Sequence, residues 1–294
     1  MDIGAVLVSH EGAIRLSAFL SVFALMAGWE FAHPRRALSV GKGKRWLANL
    51  GITLLNIAVL RALFPTAAVG MALVVAERNW GLFNVVAVPA PLAIVASLLA
   101  LDFLIWFQHI AFHRVPLLAR LHRVHHADLD FDVTTGFRFH PVEIVLSLLI
   151  KFAAIVALGA PAVAVLMFEL LLSLGSLFNH GNVSMPEPVD RVLRWIVVTP
   201  DMHRVHHSIE AEEINSNYGF FLSWWDRLFG TYCAAPRAGH DAMTIGVRNT
   251  RDPAVCAGLW AMLVLPFRER ADDFPCLRSA LQPANQSGKA HPNS

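Results

Sequence analysis

Four long apolar blocks restrict this chain more than any other feature. A hydrocarbon layer admits only segments that satisfy every backbone N–H and C=O internally, and about 20 predominantly apolar residues in helix cross it. Ala13 to Ala32 supplies one such span, Leu47 to about Ala76 a second that Arg61 and Pro65 interrupt, and Leu82 to Phe107 a third. Val142 to Phe178 is long enough to cross twice and is broken at Leu158–Pro161 by "LGAP", where Gly and Pro stop a helix. It reads as a helical hairpin that enters and leaves by one face. Arg61 stands toward the far end of its helix, where a long stem can carry the charge to the interface.

Composition agrees. Hydrophobic residues make up 55% of the chain and charged ones 16%, against the ~25% charged of ordinary soluble domains. A net charge of +2 with no basic stripe between aromatics excludes a nucleic-acid partner. Cys233, Cys256 and Cys276 are scattered and fit neither a disulfide framework nor a zinc ribbon, so they read as reduced thiols. The first apolar run lacks the basic flank and small-residue cleavage site of a signal peptide and is expected to remain in the mature protein. The fold class that follows is all-α, a multi-span helical bundle in one domain over residues 1–281, with a polar, disordered tail at 282–294.

Short loops set the orientation. The loop "HPRRALSVGKGKR" carries Arg35, Arg36, Lys42, Lys44 and Arg45, whereas the loop near "ERNWG" carries Arg78. The first is therefore expected on the cytoplasmic side, with the N-terminus outside. Counting spans onward places Gln108–Phe139 and everything after Asn179 on the cytoplasmic side as well, the inner membrane of a bacterium being the expected setting. After the hairpin, Val189, Val192, Leu193, Ile196 and Val197 recur at helical spacing with Arg191 and Arg194 off that stripe, which predicts an amphipathic helix lying on the protein or the membrane surface. Asp252-Pro253 reads as a cap and first-turn proline before "AVCAGLWAMLVLPF".

Nine of the 14 histidines fall into tight groups. "QHIAFH" supplies His109 and His113. "HRVHH" supplies His122, His125 and His126, and its second copy, 81 positions on, supplies His203, His206 and His207. "FNHGN" supplies His180. Offsets of three and four put side chains on one helix face, so each box is a local fork of imidazoles. Neutral imidazole is the commonest protein ligand for transition metals. One ion takes four to six donors, so nine nitrogens suit two ions with four or five each. Two adjacent redox ions can share the electrons that activate O₂, for which iron is the usual occupant, although imidazole also suits zinc and copper.

The segments "DFLIWFQHIAFHRVPLLARLHRVHHADLDFDVTTGFRFHP", "FNHGNV" and "TPDMHRVHHSIEAEEINSNYGFFLSWWDRLFGTY", about Asp102 to Tyr232, resemble the fatty acid hydroxylase/sterol desaturase superfamily of integral membrane di-iron oxygenases. The resemblance implies a cytoplasmic histidine-rich cap holding two Fe ions with O₂ as co-substrate, and oxidation of a lipid C–H bond by hydroxylation or desaturation. By position, it makes His109, His113, His122, His125, His126, His180, His203, His206 and His207 the metal ligands. The lipid is a sterol, fatty acyl chain, ether lipid or isoprenoid. No GxGxxG follows a strand, so the electrons are expected from a separate electron-transfer protein.

Many members have His or Gln four residues before the equivalent of His180, where this chain has Ser176; a ligand is missing there or water replaces it. His140 in "RFHP" reads as a helix cap before Pro141. His10, His33, His240 and His291 read as surface residues. Ligating imidazoles need a carboxylate or carbonyl on their second nitrogen, and Asp102, Asp128, Asp130, Asp132, Asp201 and Glu210 stand near the boxes, with solvated acids as the plain alternative. Asn182 and Asn217 are similar candidates, or turn formers. "WWDRLFGTY" reads as an aromatic anchor, Trp224, Trp225 and Tyr232, with an internal Asp226–Arg227 ion pair. Two other functions fit parts of this pattern: a catalytically inactive lipid-binding or metal-binding membrane protein, and a metal transporter. The near absence of charge in the apolar blocks beyond Arg61 and Glu169 disfavours the transporter.

Overall fold

Each apolar block becomes helix up to the Pro or Gly that stops it. The computed structural model describes residues 3–268, and among them it is helical, with four isolated β-bridges and no strand. The positions of Cys276 and His291, and the expected disordered tail, lie outside the described residues. A short α1 (Ile3–Ser9) leads into α2 (Glu11–Ala32). The second block forms α3 (Lys42–Leu63) and α4 (Ala68–Glu77), separated where Pro65 cannot donate to the helix ladder. The third span is displaced from its expected bounds. Leu82–Val85 forms only the short α5, and the long α6 runs over Ala90–Arg114, from Pro89 at its N-cap to the residue before Val115-Pro116. Proline fixes both ends, which the apolar pattern alone does not reveal.

The hairpin forms as expected. α8 (Pro141–Leu158) and α9 (Ala162–Asn179) are joined at Gly159, whose φ of +68° suits glycine. Five helical segments, Glu11–Ala32, Lys42–Val85, Ala90–Arg114, Pro141–Leu158 and Ala162–Asn179, are long and apolar enough to cross a membrane, making this a multi-pass membrane protein. α9 packs against α2, α4 and α6, while α8 packs against α3, α4 and α6. Leu20, Leu25, Leu54, Leu92 and Val95 face outward and exposed, as lipid-facing residues do.

The remaining elements form a cap at the end where α6 and α9 finish and α3 and α8 begin. α7 (Pro116–His126) follows α6 directly. α10 (Glu187–Leu193) and α11 (Pro200–His206) follow α9, and short helices α12 (Ala211–Ile214) and α13 (Trp224–Leu228) complete the near side. The amphipathic helix predicted over 189–197 ends at Leu193; of its stripe, Val189, Val192 and Ile196 are exposed and Leu193 and Val197 are half-buried, while Arg194 turns in to pair with Asp190. Asp252 caps the following short helix by accepting from the Ala254 N–H, as expected. Cys233 and Cys256 are free thiols.

A buried ion network ties the cap to the bundle. Arg45, at the start of α3, donates to both oxygens of Asp128 (2.7 and 2.9 Å) and to Asp132 (2.7 Å). Asn49, one turn on, reaches Asp128 and Thr134. Arg138 donates to the Val124 carbonyl, Asn49 and the Cys256 carbonyl. Asp132 also caps the 3-10 turn Val133–Phe137. One helix of the bundle thus holds the loop between α7 and α8 at fixed depth.

Candidate metal centre

All nine boxed histidines are buried and converge. Their ring nitrogens divide into a group of five, His109, His113, His122, His126 and His206, and a group of four, His125, His180, His203 and His207, with candidate donor atoms inside each group within 4.8 Å of one another. Helix geometry explains why the division cuts across the boxes. At 100° per residue, positions i and i+4 lie 40° apart and position i+3 lies 100° from i+4. The first HRVHH therefore gives its i, i+4 pair, His122 and His126, to the group of five and lends His125 to the group of four. The second copy does the reverse: His203 and His207 join the group of four and His206 joins the group of five. The repeat supplies each group with one pair from its own box and one ring from the other. α6 adds His109 and His113 to the first group, and His180, at the C-cap of α9, completes the second.

The geometry fits a pair of ions. Two donors at ~2.1 Å from one ion can be at most ~4.2 Å apart. His109 Nε2 and His122 Nε2 are 3.0 Å apart, His125 Nε2 and His180 Nε2 3.2 Å, and His180 Nε2 and His203 Nε2 3.1 Å, spacings of neighbouring ligands; the widest pairs must draw in by a few tenths of an ångström. The His126 and His207 rings stack with centroids 4.5 Å apart, so the groups are adjacent. His206 Nε2 and both ring nitrogens of His207 are buried without a hydrogen-bond partner, an arrangement that costs free energy unless something binds there. Burial holds the imidazoles neutral. It lowers His122 and His180 to about 3 and puts His125, His126, His203, His206 and His207 well below the ordinary range, with neighbouring rings adding to the effect on those five. Neutral imidazole is the metal-binding form.

What orients the rings differs from expectation. His109 Nδ1 donates to the Tyr218 carbonyl (2.7 Å), His206 Nδ1 to the Ser216 carbonyl (2.7 Å) and His180 Nδ1 to the Ser176 carbonyl (2.9 Å). His122 Nδ1 meets Glu143 Oε1 at 2.6 Å. None of the six expected acids hydrogen-bonds to a boxed histidine. Asp102 accepts from Trp225, Asp128 and Asp132 from Arg45, Asp130 from the Ser39 and Val40 backbone, Asp201 from Arg204, and Glu210 from Arg248. Proximity along the chain misled because each acid meets a closer donor: an arginine for Asp128, Asp132, Asp201 and Glu210, the Trp225 indole for Asp102 and backbone N–H groups for Asp130. Glu143, in the first turn of α8, carried a legible signal: an acid just after "RFHP" at the mouth of an apolar helix.

Other expectations sort similarly. His140 is the N-cap of α8, its Nδ1 accepting from the Val142 N–H. Ser176 Oγ donates to the Gly136 carbonyl (2.6 Å). Gly136 has no room for a side chain, since a Cβ there would lie 2.7 Å from the Ser176 carbonyl oxygen. Asn217, at φ +50°, ties the Met202 and Cys233 carbonyls, and Asn182 ties Arg36, so both hold loops rather than imidazoles. Asp226 and Arg227 do not pair. Buried Asp226 accepts from Trp106 and from the Tyr218 and Gly219 N–H groups, fixing the loop whose carbonyls orient His109 and His206. Arg227 lies over the Trp195 and Tyr232 rings. His10 and His33 are exposed, but His240 is largely covered, 3.7 Å from Asp201, and burial lowers it to about 4.

A cavity of about 730 Å³ reaches the group of five. His109, His122 and Glu143 stand at one end; Ile105, Phe112, Leu148, Leu172 and Phe220 line an apolar middle; and Arg15, Arg61, Lys151 and Glu169 stand at the other end. Sequence reasoning overlooked Arg15 and Lys151, which pair with the two oxygens of Glu169 at 2.8 and 2.5 Å.

A family model for fatty acid hydroxylases matches residues 94–231, the span that contains every boxed histidine. The ornithine lipid hydroxylase OlsE of Rhizobium tropici is 30% identical over 183 residues, 62% of this chain and 52% of that protein. Alkylglycerol monooxygenase of Xenopus tropicalis is 29% identical over 195 residues, 65% and 42% of the two chains. A cholesterol 25-hydroxylase-like protein of Danio rerio is 29% identical over 140 residues, 46% and 53%. The chain thus spans about half the length of these relatives. No solved structure matches it.

Proposed function

From a chain that belongs, through residues 94–231, to the fatty acid hydroxylase family, we propose an O₂-dependent membrane oxygenase that hydroxylates or desaturates a lipid, with two iron ions held by the five-histidine and four-histidine groups. One observation carries the reading: the buried rings of His109 and His122 line one end of a cavity whose middle is apolar and whose size suits a lipid chain. The named activities of the relatives, ornithine lipid hydroxylation and alkylglycerol monooxygenation, favour hydroxylation over desaturation. The positively charged loop at Arg35–Arg45 supports a cytoplasmic position for the histidine end, with an inner bacterial membrane as the setting.

His109, His113, His122, His126 and His206 would hold one ion, and His125, His180, His203 and His207 the other. When bound and reduced by a separate electron-transfer protein, the pair supplies O₂ activation and oxidation of an unactivated C–H bond. The protein's own part is positional. The apolar wall from Ile105 to Phe220 receives the chain and excludes water, and Phe139, 4.4 Å from the His125 ring between centroids, closes the floor. The Tyr218, Ser216 and Ser176 carbonyls and Glu143 fix ring orientation, so each Nε2 points into its group.

The test compares lipid extracts by mass spectrometry from aerobic, iron-replete cells expressing wild type or His206→Ala. A lipid gaining one oxygen atom, or losing two hydrogens, in wild type alone names substrate and reaction. Identical extracts would remove the oxygenase reading and favour a lipid-binding protein without chemistry.

A further inference from the structure

The cavity is polar at the end farthest from the histidines, and that polarity is one-sided. Three cations, Arg15, Arg61 and Lys151, face one carboxylate, Glu169, which leaves two positive charges in excess; counting Glu11, 3.8 Å from Arg15, still leaves one. Lys151 lies in the middle of a membrane-crossing helix, its side chain 13% exposed, and lines the cavity. Arg61 has no hydrogen bond or ion pair among the described residues. The first turn of α4 opens onto the same mouth through Thr66, Ala67 and Ala68, and no side chain caps its N–H groups. Lys151 is largely covered while Arg15 and Arg61 are more open, so the excess of cation stands at the rim of an apolar cavity, where it attracts an anion.

We propose that this mouth seats the anionic group, phosphate or carboxylate, of a membrane lipid whose chain runs to the histidines. The course of the chain to the histidines rests on the lipid-oxygenase reading, whereas the anion seat rests on the charge arrangement alone. Distance adds a constraint. Lys151 is eight residues from Glu143, and Glu169 seven from Ser176, so mouth and metal end are separated by roughly 10–12 Å at ~1.5 Å per residue. The oxidised carbon therefore lies well down the chain and not beside the head group.

The experiment measures lipid retention by the full-length protein in detergent, with native mass spectrometry after exposure to phosphatidylglycerol, a free fatty acid or phosphatidylcholine. The expected result is that wild type retains the phosphatidylglycerol or the fatty acid about tenfold more strongly than phosphatidylcholine, a difference of ~1.4 kcal/mol; which of the two leads identifies phosphate or carboxylate. Arg61→Gln and Arg15→Gln/Arg61→Gln should reduce that preference stepwise, while Arg78→Gln, outside the cavity, should not. Equal retention of all three lipids by wild type overturns the proposal, as does an undiminished preference in the double variant. The wild-type comparison decides even if a variant fails to fold. Anion preference with no oxidised product under metal-replete conditions would sink the oxygenase reading and leave this site standing; product formed without anion preference would do the reverse.

Discussion

Glu143 offers the sharpest test of how the centre is built. Its Oε1 lies 2.6 Å from His122 Nδ1, both side chains are buried, and Oε2 has no hydrogen-bond partner. With Nε2 of His122 turned toward the five-histidine group, Nδ1 carries the proton and donates it to Glu143, whose ionised form a cation bound in that group would favour. Hydrogen bonds to a charged group contribute about 1.5–3 kcal/mol, and neutral ones about half that. Glu143→Gln keeps the volume and an acceptor and removes the charge, so metal affinity of that group should fall by about 1–1.5 kcal/mol, roughly tenfold. Glu143→Leu removes the acceptor as well, and the loss should approach a hundredfold, the upper end for groups that orient metal ligands. His125, His180, His203 and His207 do not touch Glu143, so their ion should be held as in wild type. A chelator titration of purified, metal-loaded protein, with bound metal counted by mass spectrometry, should show two equal steps separated in the variants. A single step releasing both ions, or steps unchanged from wild type, would refute the argument that this carboxylate serves one group.

The imidazoles whose folded values lie near 3, His122 and His180, bind protons more weakly than in the unfolded chain, where the value is ~6.5; their stability contribution is complete above about pH 6.5 and lost as pH falls toward the folded value, by up to ~1.4 kcal/mol per pH unit for each ring, so metal retention and the melting temperature in detergent should both decline between pH 7 and 4.5, and a flat profile would count against buried neutral rings. Arg45→Met strands Asp128 and Asp132 without their cation inside the cap, which should destabilise the protein by about 3–5 kcal/mol; a change below 1 kcal/mol in denaturant unfolding would mean the network does not anchor the cap.

Range along the chain decides which features residue order reveals. The five crossing helices, the hairpin at Gly159, the His140 cap and the identity of all nine clustered histidines are legible from residue order, because hydropathy, proline placement and i, i+4 spacing act within a few turns. The bounds of α6 shifted because Pro89 and Pro116, not the ends of the apolar run, stop the helix. The Asp226–Arg227 pair failed because adjacent residues on a short helix point to different partners, here Trp106 for one and Trp195 for the other.

By itself, then, the sequence determined that this chain crosses a membrane several times and that imidazoles gather at one end of it. Only the tertiary structure decided which rings share an ion, because the two HRVHH copies exchange a histidine across helices 81 residues apart. It likewise decided that carbonyls and Glu143, rather than the nearby aspartates, orient those rings, and that Arg15, Lys151 and Glu169 meet at a cavity mouth. Those outcomes depend on long-range packing, in which each acid or cation takes the partner that burial brings closest, and residue order does not encode that distance locally.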